Sequence, residues 1–165
     1  MICQLIRFLV TVSLIVIGVS GHAYAHSYSF SGIEINHPYA QPTRPGMRNS
    51  VVYFRGIRNS SNVSERLLSA TSSVAGRLEF HQVSTENSVM RMREVTSVHL
   101  LPGRSPSFRH GPSNEFHIML VDLKQPLTDG DQFKIKLNFQ NAGEREVVVY
   151  VQNLRQRNTE HNHAH

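Results

Sequence analysis

His81, Met90 and Met92 lie in one short segment of the chain, and His117 and Met119 lie in another. Thioether sulfur is a soft donor that suits Cu(I), and imidazole binds copper in either oxidation state. Of the five methionines, one is the initiator and three of the other four stand beside a histidine in these two segments. Histidine and methionine together, without cysteine, point to copper chemistry.

Such a site needs elements that bring the two segments together. Glu79–Val83 and Val89–Met92 flank Ser84-Thr85-Glu86-Asn87-Ser88, a polar stretch suited to a hairpin loop. A turn centred on Glu86-Asn87 pairs His81 with Met92 and Val83 with Met90, with the Cβ atoms of a pair about 5 Å apart. In Phe116-His117-Ile118-Met119-Leu120, His and Met are two apart on an expected strand, so both project from one face, about 6 to 7 Å apart at Cα. Bringing the pairs together makes a His2Met2 set of His81, Met92, His117 and Met119. Met90 shares the face of Met92 one rung nearer the turn, where it is core, shield or reserve ligand. Taken singly these are ordinary residues, because methionine fills core gaps and a strand histidine is usually hydrogen-bonded or exposed. The pairing is what argues for ligation.

The rest of the chain reads as short strands separated by turns. Phe133, Ile135, Leu137 and Phe139 alternate with Lys134, Lys136 and Asn138, the period of a strand with one wet face. Val147, Val149 and Val151 repeat the pattern. Further strands are expected at 28–35, 51–58, 67–74, 77–83, 89–95, 98–101 and 116–123. Between them come turn sequences such as Pro45-Gly46, Pro102-Gly103, Asp129-Gly130 and Asn141-Ala142-Gly143. No long window has helical periodicity, so the fold class is an all-β antiparallel sandwich or small barrel.

Residues 1–25 carry Arg7, an apolar run through Leu14-Ile15-Val16-Ile17, and the small-residue pattern Ala23-Tyr24-Ala25. This reads as a secretory signal peptide with a mature start near His26. The run is interrupted by polar and small residues, whereas a spanning helix needs about 20 consecutive apolar ones. A periplasmic location without stable membrane insertion after cleavage is therefore expected. Removing 25 residues from 165 leaves 140, enough for one domain, 26–152, with its own core. Cys3 falls inside the signal, which excludes disulfides, cysteine-based zinc sites and a blue-copper centre from the mature protein. The formal charge of +5 comes from scattered Arg and Lys rather than a basic stripe, which argues against a nucleic-acid partner.

Residues 153–165 are too polar to offset ordering entropy and read as a flexible tail. Its His161, His163 and His165 make a weak second site that suits Cu(II). His37 reads as a hydrogen-bonded structural residue. His99 and His110 read as surface residues, with His110 close in sequence to the site.

The segments Ile33-Glu34-Ile35-Asn36-His37-Pro38-Tyr39-Ala40, Pro45-Gly46, Glu79-Phe80-His81, Val89-Met90-Arg91-Met92-Arg93, Phe116-His117-Ile118-Met119-Leu120 and Leu127-Thr128-Asp129-Gly130-Asp131 occur in the order found in the periplasmic copper chaperones known as PCuAC. The chain resembles that family from about Ile33 to Val151. The resemblance implies a cupredoxin-like Greek-key β-sandwich that carries Cu(I) on His81, Met92, His117 and Met119. It also implies delivery to the CuA site of cytochrome c oxidase subunit II during assembly, often alongside a Sco-type copper protein. The stretch between the second and third ligands is longer here than in the family, with the extra residues expected in Gly111-Pro112-Ser113-Asn114, and the family's Pro-Gly-Gly before the third ligand is absent.

Two other functions fit the same residues: a periplasmic copper buffer or resistance protein, and a metal-independent secreted β-sandwich that binds a protein or glycan. An enzyme is not expected, since the mature chain has no cysteine nucleophile, no G-x-S-x-G segment and no convincing paired-carboxylate constellation.

Overall fold

A computed structural model describes residues 27–86, 89–112 and 114–153. The N-terminal 26 residues, where a signal peptide is expected, the tip of the 84–88 loop, Ser113 and the tail histidines His161, His163 and His165 lie outside the described residues. Ten strands follow one another: β1 (Ser27–Phe30), β2 (Ile33–Ala40), β3 (Ser50–Asn59), β4 (Glu65–Thr71), β5 (Ala75–Glu86), β6 (Val89–Val95), β7 (Val98–Leu100), β8 (Phe116–Leu123), β9 (Gln132–Phe139) and β10 (Gly143–Val151). Among the described residues there is no helix.

Alternation of apolar and polar side chains makes the strands. In β9 the buried and exposed positions alternate from Gln132 to Phe139 without a break, as the sequence pattern requires of a strand with one face on a core. The strands form one continuous path, β6-β5-β8-β3-β2-β10-β9-β4-β7, with β1 added to β2. The path folds over as an open sandwich around a single core. Val52, Phe54, Phe80, Ile118 and Leu120 come from one half, and Leu67, Ile135, Leu137, Val147 and Val149 from the other.

β2 joins the halves, and a break in its alternation accompanies the change of layer. Ile33 and Ile35 are buried in its first part, and Pro38 and Ala40 in its second, so the inward parity shifts by one at His37. His37 has φ of 45°, a left-handed conformation uncommon outside glycine. β3 shifts parity opposite it, from Phe54 to Ile57, so the two strands keep one register throughout.

Several expectations are corrected in detail. The strand expected over 28–35 is a hairpin, because Ser31 (φ 45°) and Gly32 (φ 77°) form a two-residue turn between β1 and β2. A side chain on Gly32 would also bring a Cβ to 2.7 Å from that of Ser61. The strand expected over 67–74 starts earlier and ends at Thr71, and β10 starts at Gly143, four residues before Val147. The sandwich is not wholly antiparallel: β2 and β10 run parallel through Tyr39↔Tyr150 and Ala40↔Val151.

Two buried polar residues tie loops to this frame. Asn59 donates to the carbonyls of Val63 and Leu100 at 2.7 and 2.8 Å and accepts from the Ser61 amide and hydroxyl. Glu65 is 5% exposed, and its carboxylate accepts from the backbone amides of Arg66, Asn141 and Ala142, which closes the β9–β10 turn.

Candidate metal centre

β8 and β5 pair so that His117 faces His81 and Met119 faces Glu79. The two imidazole centroids are 5.4 Å apart, with the rings inclined at 44°. Ile118 and Phe80 point the other way, into the core. The histidine face is therefore the outer face of this half of the sandwich.

β6 extends that face, but in a register two residues away from the one expected. His81 lies across from Glu94, Val83 from Met92, Thr85 from Met90 and Glu86 from Val89, so the pairing is not centred on Glu86-Asn87. A slip of two residues preserves parity, so Met92 and Met90 keep the histidine face while both lose their expected partners. Met92 becomes a diagonal neighbour of His81, on the hairpin side. Met119 is diagonal to His81 on the opposite side. With strands about 4.8 Å apart and about 3.3 Å per residue, the two methionine Cα atoms are roughly 16 Å apart in a flat sheet, so one ion shared by both thioethers requires the edge strand β6 to bend toward the histidine pair. Met90 is two residues further out along β6, away from that pair.

Exposure grades across the set. His117 is 4% exposed, whereas Met92 and Met90 are 59% and 56% exposed on an edge strand. Met119 and His81 are intermediate. Three potential donors, His81, His117 and Met119, are thus held on two central strands, and Met92 is offered from a solvent-facing edge.

The hydrogen bonds of the two histidines decide which ring nitrogens are available. His81 Nε2 lies 3.0 Å from Glu79 Oε2, and Glu79 also accepts from Arg77 Nε at 2.6 Å. The bond from His81, and then that from Arg77, hold the Glu79 carboxyl below its ordinary pKa. His117 Nδ1 lies 3.2 Å from Asn114 Oδ1. Its Nε2 is buried with no hydrogen-bond partner. Burial, reinforced by the neighbouring His81, lowers the His117 pKa from 6.5 to about 4, so the ring is neutral at physiological pH. A buried imidazole nitrogen without a partner is costly unless something occupies it. A soft monovalent cation flanked by thioethers fits the donors present. Among the described residues no three His, Cys, Asp or Glu side chains form a group that could hold a metal, and methionine sulfur is the further donor on this face.

A row of rings continues from the pair. Tyr53 lies 6.1 Å from His117, Tyr39 lies 5.6 Å from Tyr53, and His37 lies 5.8 Å from Tyr39. His110 packs edge-on against Tyr53 at 5.2 Å, and its backbone amide donates to the Tyr39 hydroxyl. His110 thus borders the site through Tyr53. His37 is hydrogen-bonded to Gln152 at 3.1 Å, as a structural histidine should be, and His99 is exposed on β7.

Sequence reasoning missed Glu79, Asn114 and Tyr53. Glu79 carried a signal, since it lies two residues before His81 and so shares its face. Asn114 and Tyr53 carried none, because a loop conformation and a long-range strand order place them.

The LpqE-like family model, described as putative lipoprotein LpqE-like, matches residues 33–151, which is the whole sandwich apart from β1. The chain belongs to the LpqE-like family. A putative lipoprotein of Leifsonia xyli subsp. xyli is 26% identical over 151 residues, covering 87% of this chain and 88% of that protein. An uncharacterized protein of Rickettsia prowazekii is 34% identical over 120 residues, covering 70% of this chain, which spans 64% of that relative's length. Among solved structures, a copper-bound PCuAC domain from PmoF2 superposes with a TM-score of 0.64 at 23% identity, covering 77% of this chain and 97% of that domain. The solution structure of CuI-DR1885 from Deinococcus radiodurans superposes with a TM-score of 0.55 at 19% identity, covering 82% of this chain and 86% of that one. This member of the LpqE-like family therefore has the fold of the PCuAC domains.

Proposed function

We propose that this protein is a non-enzymatic Cu(I) carrier of the bacterial envelope, holding one ion on His81, His117, Met119 and Met92. The observation that carries the reading is the partnerless buried Nε2 of His117, 5.4 Å ring to ring from His81 and on one face with two methionines. Two soft sulfurs beside two imidazoles favour the monovalent ion. The copper-bound state of fold relatives, PmoF2 and DR1885, supports the same cargo.

Each group has a role. Asn114 and Glu79 orient the imidazoles, leaving Nε2 of His117 and Nδ1 of His81 as the donor atoms. Met119 completes a group of three donors on β5 and β8. Met92, on the exposed edge, is the donor that an acceptor's ligand displaces first. A carrier that releases its ion by ligand exchange needs one such weakly held, accessible ligand, which favours delivery over sequestration.

The acceptor proposed is the CuA site of cytochrome c oxidase subunit II, directly or with a Sco-type protein, and the compartment is the periplasm. Export is supported by the signal-like residues 1–25 and by the lipoprotein descriptions of the family and of the Leifsonia relative. The tail histidines His161, His163 and His165 would supply a separate, weaker Cu(II) site. Delivery is tested by deleting the gene: loss of oxidase activity at low copper supports it, whereas sensitivity confined to high copper indicates a buffer.

A further inference from the structure

The side-chain amide of Asn114 has its orientation fixed by three hydrogen bonds. Its Nδ2 donates to the carbonyl oxygens of Arg109 and Phe116, at 2.9 and 2.6 Å. Both of its hydrogens are thereby engaged by acceptors, so the amide cannot be turned round without setting its oxygen against two carbonyls. Asn114 Oδ1 must then be the atom facing His117, and an amide oxygen only accepts. His117 Nδ1, 3.2 Å away, must therefore be the nitrogen that carries the proton. The second nitrogen, Nε2, is left as a bare lone pair, buried and without a partner.

The surrounding loop is braced to hold this geometry. The amides of Glu115 and Phe116 donate to the Ser107 carbonyl, both at 2.9 Å, and the Asn114 amide donates to the Gly111 carbonyl. Arg109 Nε donates to the Arg55 carbonyl at 2.8 Å, which ties the near side of the loop to β3.

We propose that Asn114 is a positioning residue for metal capture, locking His117 in the Nδ1–H tautomer so that Nε2 is presented to a soft cation. Asn114 acts through His117 and touches no metal itself. This assignment rests on the copper reading for its purpose, but the tautomer is a property of the copper-free protein and stands or falls separately.

The test is a long-range proton–nitrogen NMR spectrum of the histidine rings in the copper-free, nitrogen-15-labelled full chain, with the His117 signals assigned by their loss in His117→Gln. In the wild type His117 should show a protonated Nδ1 and an unprotonated Nε2. Asn114→Ala removes the acceptor and should yield a mixture or the Nε2–H form. Anaerobic Cu(I) competition should then show affinity about 10- to 100-fold lower in Asn114→Ala. A wild-type His117 protonated on Nε2 overturns the proposal, even where the alanine variant fails to fold. A folded alanine variant with unchanged tautomer and unchanged affinity overturns it equally. If the tautomer is as stated but the wild type takes up no Cu(I), the copper reading falls while the orienting role of Asn114 remains.

Discussion

His81 and His117 are direct cross-strand partners on β5 and β8, with their rings 5.4 Å apart and the Nε2 of His117 enclosed without a hydrogen bond. The other donors are arranged about this pair, with Met119 on the strand of His117 and Met92 on the neighbouring edge.

The two methionines should therefore be unequal. Met119→Leu removes a donor from the strand that carries the buried histidine and should weaken Cu(I) binding by at least about tenfold, which is about 1.4 kcal/mol. Met92→Leu should cost less affinity and slow transfer to an acceptor more. Leucine nearly conserves methionine volume, so both variants should lose less than about 1.5 kcal/mol of stability. Competition titration with a chromophoric chelator, run beside urea denaturation, separates the two effects. Equal losses of affinity would show that Met92 is as firmly held as Met119.

Glu79→Gln tests the carboxylate that orients His81. The carboxylate accepts from both His81 and Arg77, and an amide in its place offers a single oxygen for the two donors. Cu(I) affinity should fall by about 10- to 100-fold with little change in the far-ultraviolet circular dichroism. Unchanged affinity would show that His81 is held by its strand alone.

His117 gives the copper-free protein a pH-dependent stability. Its pKa is about 4 when folded, against about 6.5 when unfolded, with burial the main cause and His81 the second. Between those values the unfolded chain binds a proton that the folded chain does not, so stability rises with pH through this window and is fully present above about 6.5. The span corresponds to on the order of 3 kcal/mol. Urea denaturation across the window should show the rise, and His117→Gln should remove it. A wild-type slope unchanged in the variant would assign the effect to other groups.

Glu65 marks a part of the molecule that should be independent of copper. Glu65→Gln places an amide NH2 among the backbone donors of Arg66, Asn141 and Ala142 and should cost about 1 to 3 kcal/mol. Thermal denaturation should register the loss while Cu(I) stoichiometry stays unchanged.

The sequence made the strands legible wherever apolar residues alternated. β6 and β8 fall on 89–95 and 116–123 as read from the pattern, and β9 differs by one residue. The Ser31-Gly32 hairpin was overlooked because Tyr28, Phe30, Ile33 and Ile35 look like one apolar run unless the turn residues are weighed. The common face of His81, Met92, His117 and Met119 followed from spacing alone, since parity survives a two-residue slip. The register did not follow, because it depends on which residues of a five-residue polar loop make the turn. The partnerless Nε2 of His117 and the amide of Asn114 were beyond the pattern, as both arise from how the 107–116 loop lies over β3 and β8.

Anaerobic Cu(I) titration against a competing chelator, followed by X-ray absorption, tests the central claim most directly. The chain used should carry alanine at 161, 163 and 165, so that tail imidazoles contribute nothing. One tight equivalent with both nitrogen and sulfur scattering is the result expected of a His81, His117, Met119 and Met92 site. No uptake, or a coordination shell without sulfur, would contradict the account and return the methionines to ordinary packing and surface roles.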